Sequence, residues 1–159
     1  MSIKLIAIDL DGTLLNAQHL VTDRVRQSIQ YAQDKGVQIV LASGRPYSGM
    51  APILRDLGIY NDKNYVITNN GAMIRDITTG EAIHENVLAY DDYLKIEALS
   101  LELDVFMHVV SDQCLYTANR EIGRYTVYES YLSNIPLVYR PLSEMNEEVC
   151  YSKCMFSDD

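Results

Sequence analysis

Asp9 and Asp11 stand two residues apart in the stretch 3–15, which reads IKLIAIDLDGTLL. In an extended chain, residues two apart project to the same side. Two carboxylates held that close repel, and a divalent cation or a shared proton removes the cost. Gly12 comes next, able to turn the backbone sharply and to bring its N–H close to an anion. Thr13 completes the pattern D-x-D-G-T. A plain polar strand end with an Asp-Gly turn is the other reading. Against it, the two acids follow a hydrophobic strand directly, with Gly-Thr in tandem behind them.

The strand that must carry this pair is the run 3–8, apolar except for Lys4. Such a run suits a strand buried on both faces of a parallel sheet. Its carboxyl end is where open α/β sheets bind ligands. A helix is expected next, capped by Thr22 and running to Lys35, with Val25, Ile29 and Ala32 on one face. Asp23 and Lys35 suit its dipole, and Gly36 stops it. The run 37–42 (VQIVLA) reads as a second buried strand, which makes a βαβ unit.

Ser43, Gly44, Arg45 and Pro46 follow that strand at a place equivalent to Asp9. Two readings stand for Ser43. It caps the helix expected over 47–57, or, with the Gly44 amide and that helix's N-terminus, it cradles a phosphate. A third strand, 65–68, ends in Asn69-Asn70-Gly71-Ala72. These residues form a turn, or a third loop converging on the same crevice.

Beyond them the pattern predicts a hairpin of 72–75 and 81–85. Then come a helix over 90–103 capped by Asp91, strands over 105–110 and 114–118, a helix over 121–132, and strands over 137–139 and 149–157. This divides the chain into a parallel core, 1–84, and a distinct α+β layer, 85–159. Tyr125, Tyr128 and Tyr131, three apart on a helix, are expected to pack inside that layer, with a substrate-facing wall as the alternative. His19, His84 and His108 have no partners at metal-ligand spacing and read as surface or packing residues.

The chain has 159 residues, 48% of them hydrophobic, and a formal net charge of −9. It can bury a core, and its acidity argues against nucleic acid or an anionic membrane as partner. No apolar run is long enough to span a bilayer. Three cysteines, Cys114, Cys150 and Cys154, make no disulfide framework or CxxC pair, which suits thiols in a reducing cytoplasm.

D-x-D-G-T after an apolar strand resembles motif one of the haloacid dehalogenase (HAD) superfamily of phosphohydrolases. The resemblance implies a Rossmann-like parallel α/β core and an α+β cap. It implies that Asp9 attacks phosphorus to form an aspartyl-phosphate, and that Asp11 protonates the leaving group and then activates water. Mg²⁺ would be held by Asp9 and Asp11. Ser43 matches motif two, holding the transferring phosphate together with the amides near Leu10, Gly12 and Gly44. Arg45 becomes either a substrate contact or a solvated surface arginine. S-G-R-P and N-N-G-A together resemble the Cof-type branch, where the NGA loop, here with Asn70, lies beside the active site. D-D-Y, L-Y-T-A-N-R and Y-T-V-Y-E-S resemble the cap of YidA-type sugar phosphatases, which implies a small phosphorylated metabolite as substrate.

Two further family motifs, a phosphate-stabilising Lys or Arg and an acidic pair completing the Mg²⁺ site, do not appear. The closing Asp158-Asp159 pair has no strand-loop context that would make it those acids. Core and cap are therefore both expected to be incomplete, as in the N-terminal portion of a longer enzyme, with little turnover. One face of the first or third strand would then lack its neighbours, and the exposed apolar edge would invite self-association. A phosphotransferase or mutase keeps the same site, and a non-catalytic binding module is the reading from another class. No G-x-G-x-x-G follows the first strand to support dinucleotide binding.

Overall fold

The computed structural model describes residues 3–60 and 64–158. The chain divides into two compact units, 1–85 and 86–159. Asp159 of the closing acidic pair lies outside the described residues.

The first unit is a five-stranded sheet in the order β1-β2-β3-β4-β5. Its strands are β1 (Leu5–Asp9), β2 (Gln38–Ala42), β3 (Tyr65–Thr68), β4 (Met73–Asp76) and β5 (Ala82–Glu85). β1, β2 and β3 run parallel, while β4 and β5 continue as an antiparallel hairpin. The links from β1 to β2 and from β2 to β3 contain α1 (Asp23–Asp34) and α2 (Tyr47–Asp56). Thr22 caps α1 as expected, its hydroxyl accepting from the Val25 N–H. Ile29 of α1, Met50 and Leu54 of α2, and Ile39, Leu41 and Val66 of the sheet share one core with Leu10. Mixed α/β architecture with a parallel sheet is what the alternating pattern predicted.

One expectation fails at β1. The strand is not buried on both faces: Leu5 is 47% exposed, and Ile6 and Ile8 are half-buried. The cause is its position, since among the described residues β1 pairs only with β2 and so forms the exposed edge expected at the first or third strand.

The second unit is a four-stranded sheet in the order β8-β7-β6-β9. It contains α3 (Tyr90–Leu103), β6 (Phe106–Val110), β7 (Leu115–Thr117), α4 (Arg124–Ser133), β8 (Leu137–Tyr139) and β9 (Lys153–Ser157). β6 is antiparallel to β7 and β9, and β7 is parallel to β8. Tyr93, Met107, Val109, Met145 and Tyr151 make its main core, with the Tyr93 and Tyr151 rings stacked at 4.4 Å. Glu97 is buried in the same unit, and its carboxyl is pushed up by that burial. The Cys154 thiol is pushed up to about 12, again by burial first and then by Glu97.

Three details differ from the sequence reading. Ala89, not Asp91, is the N-cap of α3, and Asp91 and Asp92 occupy its first turn. The last strand starts at Lys153, four residues later than expected. Tyr125, Tyr128 and Tyr131 are exposed rather than packed. α4 turns a polar side inward instead: Thr126 and Ser133 are buried, and the Thr126 hydroxyl meets His108 Nδ1 at 3.1 Å. A buried hydroxyl that finds a partner can take the place an aromatic ring would otherwise fill.

Candidate functional site

The strand register brings three loops together. Asp9 pairs with Ala42 across β1 and β2, one residue before Ser43. Ala42 pairs with Ile67 across β2 and β3, and the Ser43 N–H donates to the Ile67 carbonyl at 3.0 Å. The carboxyl ends of three parallel strands therefore lie side by side, and Asp9, Ser43 and Asn70 all issue from that edge.

Along the first loop the side chains alternate. Asp9 and Asp11 are exposed and Leu10 between them is fully buried. Both acids have extended backbone, with φ −70° and ψ 148° at Asp9 and φ −84° and ψ 121° at Asp11. The apolar side chain of Leu10 thus anchors in the core while its neighbours project together. Gly12 then turns at φ +79°, and the Leu15 N–H closes the wide turn by donating to the Leu10 carbonyl at 2.9 Å. A Cβ at Gly12 would meet nothing within 4 Å, so the position favours glycine for its left-handed backbone and not for lack of space.

Ser43 is buried, and its hydroxyl accepts from the Arg45 N–H at 3.2 Å. It does not cap α2, whose N-cap is Pro46. The third loop ties itself to the second. The Asn70 N–H donates to the Ser43 carbonyl at 3.1 Å, and the Asn69 N–H to the Arg45 carbonyl at 3.0 Å. The Asn70 side chain lies over Gly44, where an added Cβ would stand 3.0 Å from Oδ1 and 3.1 Å from Nδ2. Asn69, Asn70 and Gly71 are all left-handed, with φ of 51°, 58° and 92°. Three such residues in a row cost backbone strain that glycine escapes and asparagine tolerates best.

Arg45 is not a solvated surface arginine. Its side chain is 15% exposed and turns onto Asp11, with Nε 2.9 Å from Oδ2 and Nη2 2.6 Å from Oδ1. His19 reaches the same carboxylate, its Nδ1 3.6 Å from Oδ1. Sequence spacing could not show this, because the loop 16–20 folds back through bonds made by Asn16. Asn69, the other amide of the third loop, is 2% exposed, and neither atom of its amide has a hydrogen-bond partner among the described residues.

For a metal, no group of three His, Cys, Asp or Glu side chains gathers among the described residues. The donors at hand are hard oxygens, the exposed Asp9 carboxylate and the Asp11 backbone carbonyl. That set fits a hard cation such as Mg²⁺, which Asp9 and the Asp11 carbonyl would hold with most of its waters retained.

A family model of haloacid dehalogenase-like hydrolases matches residues 6–159. The chain belongs to that family. A Streptococcus pyogenes serotype M6 protein named as a candidate phosphatase is 47% identical over 160 residues, covering 100% of this chain and 59% of its own length. YxeH of Bacillus subtilis, also named as a candidate phosphatase, is 44% identical over 98% of this chain and 57% of its own. A haloacid dehalogenase-like hydrolase from Bacteroides thetaiotaomicron has the same fold with a TM-score of 0.85 at 26% identity. That match covers 99% of this chain and 59% of the other. The chain thus spans somewhat more than half the length of these HAD-like relatives. Among the described residues, no helix is long and apolar enough to cross a membrane.

Proposed function

We propose that this HAD-like chain carries the nucleophile half of a phosphomonoester hydrolase acting on small phosphorylated metabolites such as sugar phosphates. The observation that carries the reading is the exposed pair Asp9 and Asp11, flanking buried Leu10 at the carboxyl end of β1 and set beside Ser43. An Asp9 oxygen attacks phosphorus as the bond from phosphorus to the leaving oxygen breaks, and Asp11 gives that oxygen its proton. Water then attacks the aspartyl-phosphate, Asp11 takes the proton from that water, and inorganic phosphate leaves. Ser43 and the amides around Leu10, Gly12 and Gly44 hold phosphate oxygens, while Asn70 fixes Ser43 and Gly44 from the third loop. Mg²⁺, held by Asp9 and the Asp11 carbonyl, would offset the charge on the phosphoryl oxygens.

The unit 86–159 is proposed to form part of a cap domain, whose general role is to exclude bulk water. The thiol state of the cysteines supports a cytoplasmic setting. The open edge of β1 supports pairing with a second copy.

The test is phosphate release from sugar phosphates with and without Mg²⁺, comparing the purified protein with Asp9→Asn. The reading requires metal-dependent turnover that Asp9→Asn removes. Turnover that survives the substitution would sink it. The relatives are longer, and two oxygen donors leave most of an octahedral shell to water, so turnover by this chain alone is expected to be poor. A transferase would instead pass the phosphoryl group to a sugar hydroxyl, and product analysis for phosphosugar against free phosphate separates the two.

A further inference from the structure

His19 stands where a surface loop meets the acid of the candidate site. Asn16 builds that loop almost alone. Its side-chain oxygen accepts from the Gln18 N–H at 2.9 Å and the Leu20 N–H at 3.0 Å. Its carbonyl accepts from the His19 N–H at 2.9 Å, and its own N–H donates to the Leu20 carbonyl at 3.0 Å. These four bonds hold His19 at φ +57°, a left-handed conformation that costs a non-glycine residue about 1 kcal/mol or more. No burial offsets that cost, because the side chain is 56% exposed. What the conformation does is aim the ring at Asp11, with Nδ1 3.6 Å from Oδ1. The carboxylate is then flanked by Arg45 and His19, both of them meeting Oδ1.

We propose that His19 is a specificity-determining residue that hydrogen-bonds a hydroxyl on the leaving group of the substrate. The inference rests on the hydrolase reading above. If Asp11 protonates the leaving oxygen, that oxygen passes beside the Asp11 carboxylate, and the atoms bonded to it pass beside whatever else touches that carboxylate. With Nδ1 turned to Asp11, Nε2 is on the far side of the ring and available to a substrate hydroxyl. A polyol or sugar phosphate has a hydroxyl one or two carbons from its ester oxygen and gains this bond. An aryl phosphate has none. A site built to bond a hydroxyl discriminates against analogues that lack it.

The experiment compares kcat/KM on glycerol 3-phosphate or a hexose 6-phosphate with kcat/KM on p-nitrophenyl phosphate. It is run for the wild-type protein, His19→Asn and His19→Gly. Asn keeps tolerance of the left-handed backbone but loses reach, and Gly removes the ring with no backbone penalty. Both variants are expected to lose about tenfold more kcat/KM on the hydroxylated ester than on the aryl one. Equal losses on both esters, in variants whose melting temperatures match the wild type, overturn the role of His19 alone. A wild-type protein inert toward both esters overturns the hydrolase reading and this role with it.

Discussion

Arg45 grips the Asp11 carboxylate with both arms of its guanidinium, at 2.9 and 2.6 Å, across the two loops that follow β1 and β2. Asp11 is 43% exposed, so water screens the pair, and it is worth about 1 kcal/mol or less to the fold. A phosphate dianion offers the same guanidinium two negative charges in the same forked geometry. In the proposed hydrolase, Arg45 is therefore expected to transfer to a bound phosphate, leaving Asp11 free to handle a proton.

Arg45→Lys tests this exchange. Lysine keeps the charge but lacks the planar fork. The variant is expected to lose about tenfold in kcat/KM, equivalent to ~1.4 kcal/mol, and to bind inorganic phosphate more weakly by a similar factor. Steady-state kinetics with phosphate as product inhibitor reads both. Unchanged phosphate inhibition in Arg45→Lys would show that the guanidinium stays on Asp11 throughout.

Gly44 and Asn70 are expected to be coupled. Alanine at 44 would press its Cβ to 3.0 Å from the Asn70 amide, tighter than ordinary contact. Asn70 is exposed and can swing away, so the stability loss should stay below about 1 kcal/mol, while the displaced loop costs activity. Asn70→Gly removes the obstructing side chain and suits the left-handed backbone at φ 58°. In that background Gly44→Ala should cost nothing further. Thermal melts of the two single variants and the double variant close the cycle, and additive losses would contradict direct contact.

Glu97 should make the second unit less stable as pH rises. Burial lifts its carboxyl above the ordinary value of 4.5, the Tyr93 hydroxyl bond opposing in part. The folded form therefore keeps its proton to higher pH than the unfolded form. Stability is full below about 4.5 and falls as pH rises through the folded value. Glu97→Gln, which never ionises and still accepts from Tyr93, is expected to be more stable than wild type at pH 7 by roughly 1–2 kcal/mol. The advantage should vanish below pH 4.5. Urea melts at pH 4 and pH 7 measure it, and a variant less stable at both pH values would refute the account.

Much of this was legible in the chain because local chemistry and global fold agree. The D-x-D-G-T stretch turns where Gly12 turns, and Thr22 caps the helix its spacing announced. α3 covers Tyr90–Leu103, the span its apolar positions predicted. The failures share a different cause. The apolar run of β1 resembles a central strand, but only the neighbouring strands decide whether it is central, and here it is an edge. The tyrosines of α4 looked like core because ring spacing cannot reveal that Thr126 has taken the inward place. His19 carried no signal, since its partner Asp11 is brought near only by the turn at Asn16.

The edge position of β1 has a dynamic consequence. Among the described residues, Asp9 terminates a strand held by hydrogen bonds to one neighbour, whereas β2 and β3 are each held on both sides. Strands of that kind fray by local opening at a fraction of the global unfolding free energy. The amides of residues 5–9 should therefore exchange with solvent sooner than those of 38–42. Heat or denaturant would then disorganise the support of Asp9, the proposed nucleophile, while most of the sheet is still intact, and the proposed activity would be lost ahead of the fold.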